Sequence, residues 1–296
     1  MSEADRYPEA VRRAAPPGSS AYYALRLAPA RHRPALAAVI GLTAELRRIP
    51  AEAREADIAR ARAGWWRAEI DRILGGGGSH PLAEPLRGAI ADHGLPGADL
   101  RALVDATDHA LDGQPASTEA ERAGLARRHA GAPLRLAARI LAGGDADTRA
   151  YAEAVGLAAG GTRVLRLQGI AARAGRSDLS LERLEQAGVG PETSLVTADG
   201  RAAPELEQAV EDEARALARA FEQAHRAAPT DRARRRALRP VAAYAAIHEA
   251  LLAEIRDQGA EELIRGRITL PPLRKVWLAW RARPGRPALA RGQRGA

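Results

Sequence analysis

The sequence predicts an all-α protein, folded as a single compact helical bundle, on three observations. Ala and Leu carry most of the apolar content, and both stand high in helix propensity, while the aromatic residues that favour strands make up only 3% of the chain. Apolar residues recur at intervals of three and four, and no segment shows sustained alternation with a period of two. Short Gly- and Pro-rich connections separate these patterns, which is typical of neighbouring helices in one bundle.

Helices in the first third of the chain are marked by their boundaries. Ser19 and Ser20 precede a helical pattern, and we expect them to cap it. Residues 65–74 and 80–90 are both helical in pattern. The Gly75–Ser79 run between them predicts a mobile loop rather than a domain boundary.

Helices in the rest of the chain follow from stripes, start signals and stop signals. Residues 97–113 begin with Gly-Ala-Asp and end on Gly, and residues 133–144 open with Pro and close on Gly-Gly. Gly156–Gly161 lies inside a helical pattern with no strand before it, so we interpret these glycines as permitting close helix approach. Ala202–Ala228 has acids early and basic residues late, as the helix dipole prefers. Val241–Ile255 carries one apolar stripe.

The predicted organisation has three parts. Residues 1–18 are polar and predict a flexible N-terminal lead. Residues 19–281 carry the helical patterns and form the predicted domain. Residues 282–296 are rich in Arg, Pro and Gly, cannot bury a core, and predict a basic disordered tail.

Composition restricts the class of protein. The chain has no Cys, which excludes disulfides and thiolate zinc sites. It has neither an apolar signal core at its N-terminus nor a run of about 20 apolar residues, so we expect a soluble cytoplasmic protein. The net charge is +8, carried almost wholly by arginine since Lys275 is the single lysine. We interpret this charge as a generally basic surface and expect no nucleic-acid partner.

Several motifs in a fixed order resemble those of squalene/phytoene synthases. The segment Ser19-Ser20-Ala21-Tyr22-Tyr23-Ala24 is similar to the family's Ser-x-Tyr-Tyr-Ala opening. Further similarity is clearest at Leu165-Arg166, Gly175-Arg176 and Gly188-Val189. The resemblance spans roughly residues 19–281. It implies the isoprenoid synthase fold, an all-α bundle around a central cavity.

The resemblance fails at the residues on which the family's chemistry depends. Two acidic clusters face each other across the cavity in that family, and they bind Mg²⁺, which in turn binds the prenyl diphosphate. Here the first Asp pair falls on Arg47 and Arg48. The remaining acidic positions are filled by neutral residues: Ala51, Leu167, Ile170 and Ala171. We therefore expect no catalytic residue, no metal ligand and no cofactor.

Two hypotheses of function follow. The first is a non-catalytic binding or assembly factor. It draws on a resemblance to the non-catalytic branch that includes a mitochondrial complex I assembly factor, through Thr162–Arg166 and the Leu270-Pro271 segment followed by Trp. This resemblance implies a respiratory-complex subunit as partner. The alternative is a prenyl transferase that condenses farnesyl or geranylgeranyl diphosphate with relocated metal ligands, in which case Mg²⁺ is required.

The candidate binding residues are those that would line the cavity. Arg47, Arg163 and Arg166 are predicted to bind an anion, such as an isoprenoid diphosphate or a phospholipid headgroup, without a metal. Tyr22 and Tyr23 are predicted near the cavity mouth, and the helices that carry Arg47 and Arg163 are predicted to face each other. The opposing hypothesis is a collapsed cavity, in which the arginines point to solvent or pair with acids.

A second candidate surface lies near the C-terminus. Leu273, Val276, Trp277 and Trp280 form an apolar stripe flanked by basic residues. This combination predicts either packing against the bundle or an interfacial helix that makes a peripheral contact with the inner membrane through Trp277 and Trp280.

Overall fold

Among residues 9–52, 55–113, 115–190 and 193–288, which the computed structural model describes, the chain forms fifteen α-helices and no β-strand. Their bounds are, in chain order, α1 Glu9–Ala14, α2 Ser20–Leu27, α3 Arg33–Glu52, α4 Ala56–Leu74, α5 Ala83–His93, α6 Gly97–Asp112, α7 Glu119–Ala126, α8 Ala132–Ala142, α9 Ala146–Leu165, α10 Gln168–Arg173, α11 Leu181–Gln186, α12 Pro204–Arg226, α13 Arg232–Ala237, α14 Arg239–Arg265 and α15 Pro272–Arg281. A π-helical turn, Arg127–Gly131, joins α7 to α8. The predicted all-α fold class is confirmed.

Local sequence signals set many of these bounds. The Ser19 hydroxyl accepts a hydrogen bond from the Tyr22 amide at 3.1 Å and caps α2 as predicted. Helix α6 ends on Gly113, whose φ of 67° lies in the left-handed region that glycine adopts without strain. Helix α8 has Pro133 in its first turn and ends before Gly143. The predicted boundaries of these helices are thus confirmed to within a residue or two.

Helices α3, α9 and α14 form the centre of the bundle. Helix α9 packs against α8, α12 and α14, and α3 packs against α1, α5, α6 and α8. Side chains of these three helices that point into the core are almost fully excluded from solvent, for example Leu42, Tyr151, Leu165 and Ile255. Removal of this apolar surface from water is the main stabilising contribution to the bundle.

The N-terminal segment differs from the prediction of a flexible lead over residues 1–18. Residues 9–14 form α1, which packs along α3. Val11 is only 2% exposed, and Gly41 of α3 leaves room for its side chain. Ala15, directly after the helix, is also buried, so this segment is packed on the bundle. Residues 1–8 lie outside the described part of the chain.

The loop at Gly75–Ser79, predicted to be mobile, is tied to the core by a buried carboxylate. Glu69 on α4 is fully buried and accepts hydrogen bonds from the Ser79 and His80 amides at 2.5 and 2.7 Å. Arg72 forms an ion pair with the same carboxylate at 2.6 Å. These contacts satisfy both the buried charge and the loop amides.

The C-terminal segment also folds onto the bundle for part of its length. In the stretch 282–296, predicted as a disordered tail, Ala282 is 7% exposed and the Ala288 amide donates to Glu249 at 2.8 Å. Residues 289–296 lie outside the described residues. None of the described helices is both long enough and apolar enough to cross a bilayer.

Helix α10 lies unusually close to α14. A β-carbon placed on Gly169 would overlap the carbonyl group of Leu263 and lie 2.7 Å from the Ile264 amide nitrogen. Only glycine permits this backbone-to-backbone contact. The contact fixes the direction that the chain takes after α9 and therefore where the residues that follow Arg166 point.

Candidate functional site

A cavity of about 370 Å³ lies between α1, α2, α3, α8, α9 and α14. Its volume is within the range of pockets that enclose small organic ligands. Most of its wall is apolar, with contributions from Leu25, Leu36, Val39, Leu134 and Leu141. The cavity is therefore open rather than collapsed.

The polar lining residues lie toward one end of the cavity. On α3, Leu36 and Arg47 both line the wall, and at 1.5 Å of rise per residue they are about 16 Å apart along the helix axis. Arg163 lies at the end of α9 and its charge acts on Arg47. The cavity thus has an apolar end and a basic end.

Two glycines on α9 shape the basic end. Gly156 and Gly160 are four residues apart and share one helix face, and Arg163 follows on the same face. A β-carbon on Gly156 would lie 2.7 Å from the Ala130 carbonyl oxygen, and one on Gly160 would overlap the Ala130 side chain. The π-helical turn therefore rests directly on the α9 backbone, as expected from glycines that permit close approach.

Arg47 is held by this π-helical turn. Its Nη2 donates to the His129 carbonyl oxygen at 2.7 Å. Burial, the nearby charge of Arg163 and a smaller opposing effect of Tyr244 together lower the pKa of Arg47 to about 10. Arg47 therefore remains charged at neutral pH, but it lies in an environment that disfavours its charge.

Arg163 lines the cavity and carries a buried donor without a partner among the described residues. Its Nε is buried and has no hydrogen-bond partner within the described structure. A buried guanidinium N–H without an acceptor is costly, and the cost falls when an anion accepts from it. The arrangement at Arg163 is therefore suited to an anionic ligand group.

The mouth of the basic end carries an ion-paired cluster. Arg48 bonds Glu52 at 2.8 Å and Glu45 at 3.3 Å, and Arg13 approaches Glu45 at 3.8 Å. Side chains of Arg13 and Arg48 are 51% and 35% exposed, so this end opens to solvent. Among the described residues that line the cavity, four are arginines and Glu45 is the one carboxylate.

Two histidines near the basic end, the half-buried His129 and the buried His248, have lowered pKa values. Burial, followed by the charges of nearby arginines, lowers the pKa of His129 to about 4. Burial likewise lowers the pKa of His248 to about 4, and the charges of Arg163, Arg166 and Arg47 act in the same direction. The Nδ1 of His248 lies 2.8 Å from the Tyr244 carbonyl oxygen, which can only accept, so this nitrogen carries the proton. Both histidines are neutral at pH 7.

Of the three arginines predicted to converge, the structure brings Arg47 and Arg163 together at the cavity, on helices that face each other as expected. Arg166 takes another direction. Its Nε donates to the Ile268 carbonyl oxygen at 2.5 Å, in the connection after α14. Burial and the charge of Arg267 lower the pKa of Arg166 to about 10.

Tyr22 and Tyr23 are not among the described residues that line the cavity. Helix α2 presents Ala21, Ala24 and Leu25 to it, and the tyrosines lie about 100° and 200° around the helix from Ala21. Their rings pack edge-to-face with each other at 5.4 Å. The tyrosine at the basic end is instead Tyr244 on α14, which in the sequence is one member of the apolar stripe of Val241–Ile255.

The donor set of the cavity does not fit Mg²⁺. This ion requires several oxygen ligands, whereas guanidinium groups only donate hydrogen bonds. Glu45 is occupied by Arg13 and Arg48. Arg47 and Arg48 fill the first acidic pair of the related motif, and the positions of its second acidic cluster do not line the cavity, since Ile170 is 45% exposed and Ala171 is buried in the core. Within the described segments, no group of three or more His, Asp or Glu side chains is placed to bind a metal.

The fold and the cavity define a class of protein, the all-α bundles built around a central cavity. The chain belongs to the squalene/phytoene synthase family, whose family model matches residues 14–274. The predicted family is thereby confirmed, and the match begins earlier than the predicted domain boundary at residue 19.

Three solved structures share the fold of this chain. A dehydrosqualene synthase superposes with a TM-score of 0.75 at 20% identity, covering 88% of this chain and 89% of that one. The squalene synthase HpnC from Alicyclobacillus acidocaldarius gives 0.70 at 21% identity, with 84% and 93% covered. YisP from Bacillus subtilis gives 0.63 at 17% identity, with 92% and 94% covered. No curated protein is significantly similar to this chain in sequence.

Proposed function

We propose that this protein is a non-catalytic member of the squalene/phytoene synthase family that binds an anionic amphiphile in its cavity without a metal ion. The observation that carries the proposal is the pair Arg47 and Arg163 at the basic end, with the buried Nε of Arg163 lacking an acceptor. A diphosphate or phosphate group would supply that acceptor. Guanidinium groups match its geometry because they donate two parallel hydrogen bonds.

The rest of the cavity supports a ligand with an apolar tail. Leu36 and Leu141 line the cavity away from Arg47, on two helices whose apolar faces turn inward. Transfer of a ligand's hydrocarbon chain from water into this part of the cavity is favourable in free energy, while the charged head of the ligand remains at the basic end near the mouth. An isoprenoid diphosphate and a phospholipid both have this chemistry.

A binding role is compatible with an assembly factor, in which the bound ligand or the outer surface serves a client. A respiratory-complex subunit as that client stays a prediction from the sequence resemblance. The alternative, a prenyl transferase with relocated metal ligands, requires carboxylates near the diphosphate. Among the described residues that line the cavity, Glu45 is the one carboxylate, and two arginines already pair with it.

The proposal makes a direct prediction about turnover. Purified protein supplied with farnesyl or geranylgeranyl diphosphate and Mg²⁺ is expected to release no pyrophosphate above a protein-free control. An active squalene synthase assayed in parallel serves as the positive control. Release that depends on both the protein and the metal, with a condensed C30 or C40 product, would establish the transferase alternative.

A further inference from the structure

The positive charge of this chain is concentrated at its C-terminus. Residues 263–296 contain nine Arg and Lys residues and no Asp or Glu, a charge of +9. The whole chain carries +8, so residues 1–262 together carry −1. The positive charge is therefore not spread over the whole surface, contrary to the prediction from the sequence, because the entire net positive charge belongs to residues 263–296.

An exposed apolar face lies within this basic segment. On α15, Leu273, Val276, Trp277 and Trp280 are 84%, 46%, 38% and 66% exposed, and their spacing places them on one side of the helix. We name these four side chains the tryptophan face. Leu278 and Ala279 on the opposite side are 2% and 3% exposed and pack on the bundle. The helix is thus apolar both toward the core and toward solvent.

Three polar contacts hold α15 in this orientation. The Lys275 ammonium donates to the Gly18 carbonyl oxygen at 3.0 Å, and Arg274 forms an ion pair with Glu254 of α14. Arg239 donates to the Trp280 carbonyl oxygen at 2.5 Å. Because the helix is anchored through its polar groups, the outward position of the indole rings is a fixed feature of the surface.

Basic side chains border the tryptophan face. Arg281, Arg283 and Arg286 are exposed and line a hollow of about 580 Å³ together with Trp277 and Trp280. The Arg281 guanidinium lies over the Trp277 ring, 4.7 Å from its centroid. Indole rings favour the headgroup level of a bilayer, and guanidinium groups pair with lipid phosphates.

We propose that α15 and residues 282–288 dock on the surface of a membrane that contains anionic phospholipids. The charge of the segment is complementary to such a surface. Two turns of one helix offer too little area for a stable protein interface, which buries about 800 Å² on each partner. A few interfacial aromatic residues with a basic border are sufficient for reversible membrane binding. This proposal stands independently of the ligand in the cavity.

The test is co-sedimentation of the full-length protein with vesicles of phosphatidylcholine alone or mixed with phosphatidylglycerol. Binding is expected to the anionic vesicles only and to weaken with salt. The double variant Trp277→Ala, Trp280→Ala is expected to reduce binding at least about tenfold. The triple variant Arg281→Gln, Arg283→Gln, Arg286→Gln is expected to reduce it by at least about the same factor, since each cation near the membrane surface contributes about fivefold to the affinity.

Matched controls separate this surface from other exposed indoles and from general charge. Trp65→Ala removes another exposed indole, and Arg149→Gln with Arg219→Gln and Arg256→Gln removes three exposed cations elsewhere. These variants are expected to bind vesicles as the wild type does. Equal binding to neutral vesicles, an equal loss in the control variants, or self-association that depends on Trp280 would overturn the proposal.

Discussion

Replacement of Gly169 by Ala is expected to destabilise the protein by more than about 3 kcal/mol, because the added methyl group has no space. It would meet the carbonyl group of Leu263 and the amide of Ile264, which are backbone atoms of α14 and cannot rotate away. Helices α10 and α14 would have to separate. Chemical denaturation followed by circular dichroism measures the loss, and failure of the variant to fold is the extreme of the same result.

Gly64→Ala is the matched control for this prediction. Gly64 is exposed in the middle of α4, and a β-carbon there meets nothing within 4 Å. Since alanine favours the helix over glycine by about 1 kcal/mol, this variant is expected to be slightly more stable than the wild type. Gly169→Ala within about 0.5 kcal/mol of the wild type would contradict the close contact of α10 with α14.

The second large effect is a loss of stability in mild acid through His248. The pKa of this histidine is about 4 in the folded protein and about 6.5 when the chain unfolds. Between these values the unfolded state binds a proton that the folded state does not, so the free energy of unfolding falls as the pH drops from 6.5 to 4. The contribution of His248 is roughly 3 kcal/mol, since one pKa unit corresponds to about 1.4 kcal/mol.

His248→Asn isolates this contribution. Asparagine keeps a donor for the Tyr244 carbonyl oxygen and does not titrate. Free energies of unfolding at pH 7 and pH 4.5 are compared for both proteins, so that the other ionisable groups cancel. The decrease is expected to be smaller in the variant by about 2 to 3 kcal/mol. Parallel curves would contradict the prediction, because they would show that burial and the nearby arginine charges do not lower the pKa of His248 in the folded protein.

Much of the fold is predictable from this sequence because its boundaries are local. Gly113, Pro133 and Gly143 act within one turn of the chain, and the structure confirms the helix ends that they predict. The loss of the acidic residues of the synthase motifs is also predictable from the sequence, since the flanking motifs fix the alignment of this chain with the family pattern. The Glu69 anchor is not readable, because it depends on amides ten residues away that meet the carboxylate only in the folded chain.

The candidate site was predictable in part. Arg47 and Arg163 follow from register alone, but the direction of Arg166 depends on a carbonyl group about a hundred residues further along the chain. The spacing on α9 gives a partial signal, because Arg166 is about 60° from Arg163 around the helix and further still from Gly160. The concentration of charge in residues 263–296 was fully visible in the sequence and needed only to be counted by segment.

The most direct test of the central claim is calorimetric titration with farnesyl diphosphate in EDTA, at low and at high ionic strength. Binding is expected without metal and is expected to weaken with salt, since ion pairing dominates at the basic end. Arg163→Gln should weaken the affinity for farnesyl diphosphate about tenfold or more, because hydrogen bonds to charged groups contribute about 1.5 to 3 kcal/mol. Arg219 is an exposed cation on α12, and Arg219→Gln should have no effect. Absence of both heat and thermal stabilisation at low salt, or binding only when Mg²⁺ is added, would contradict the account.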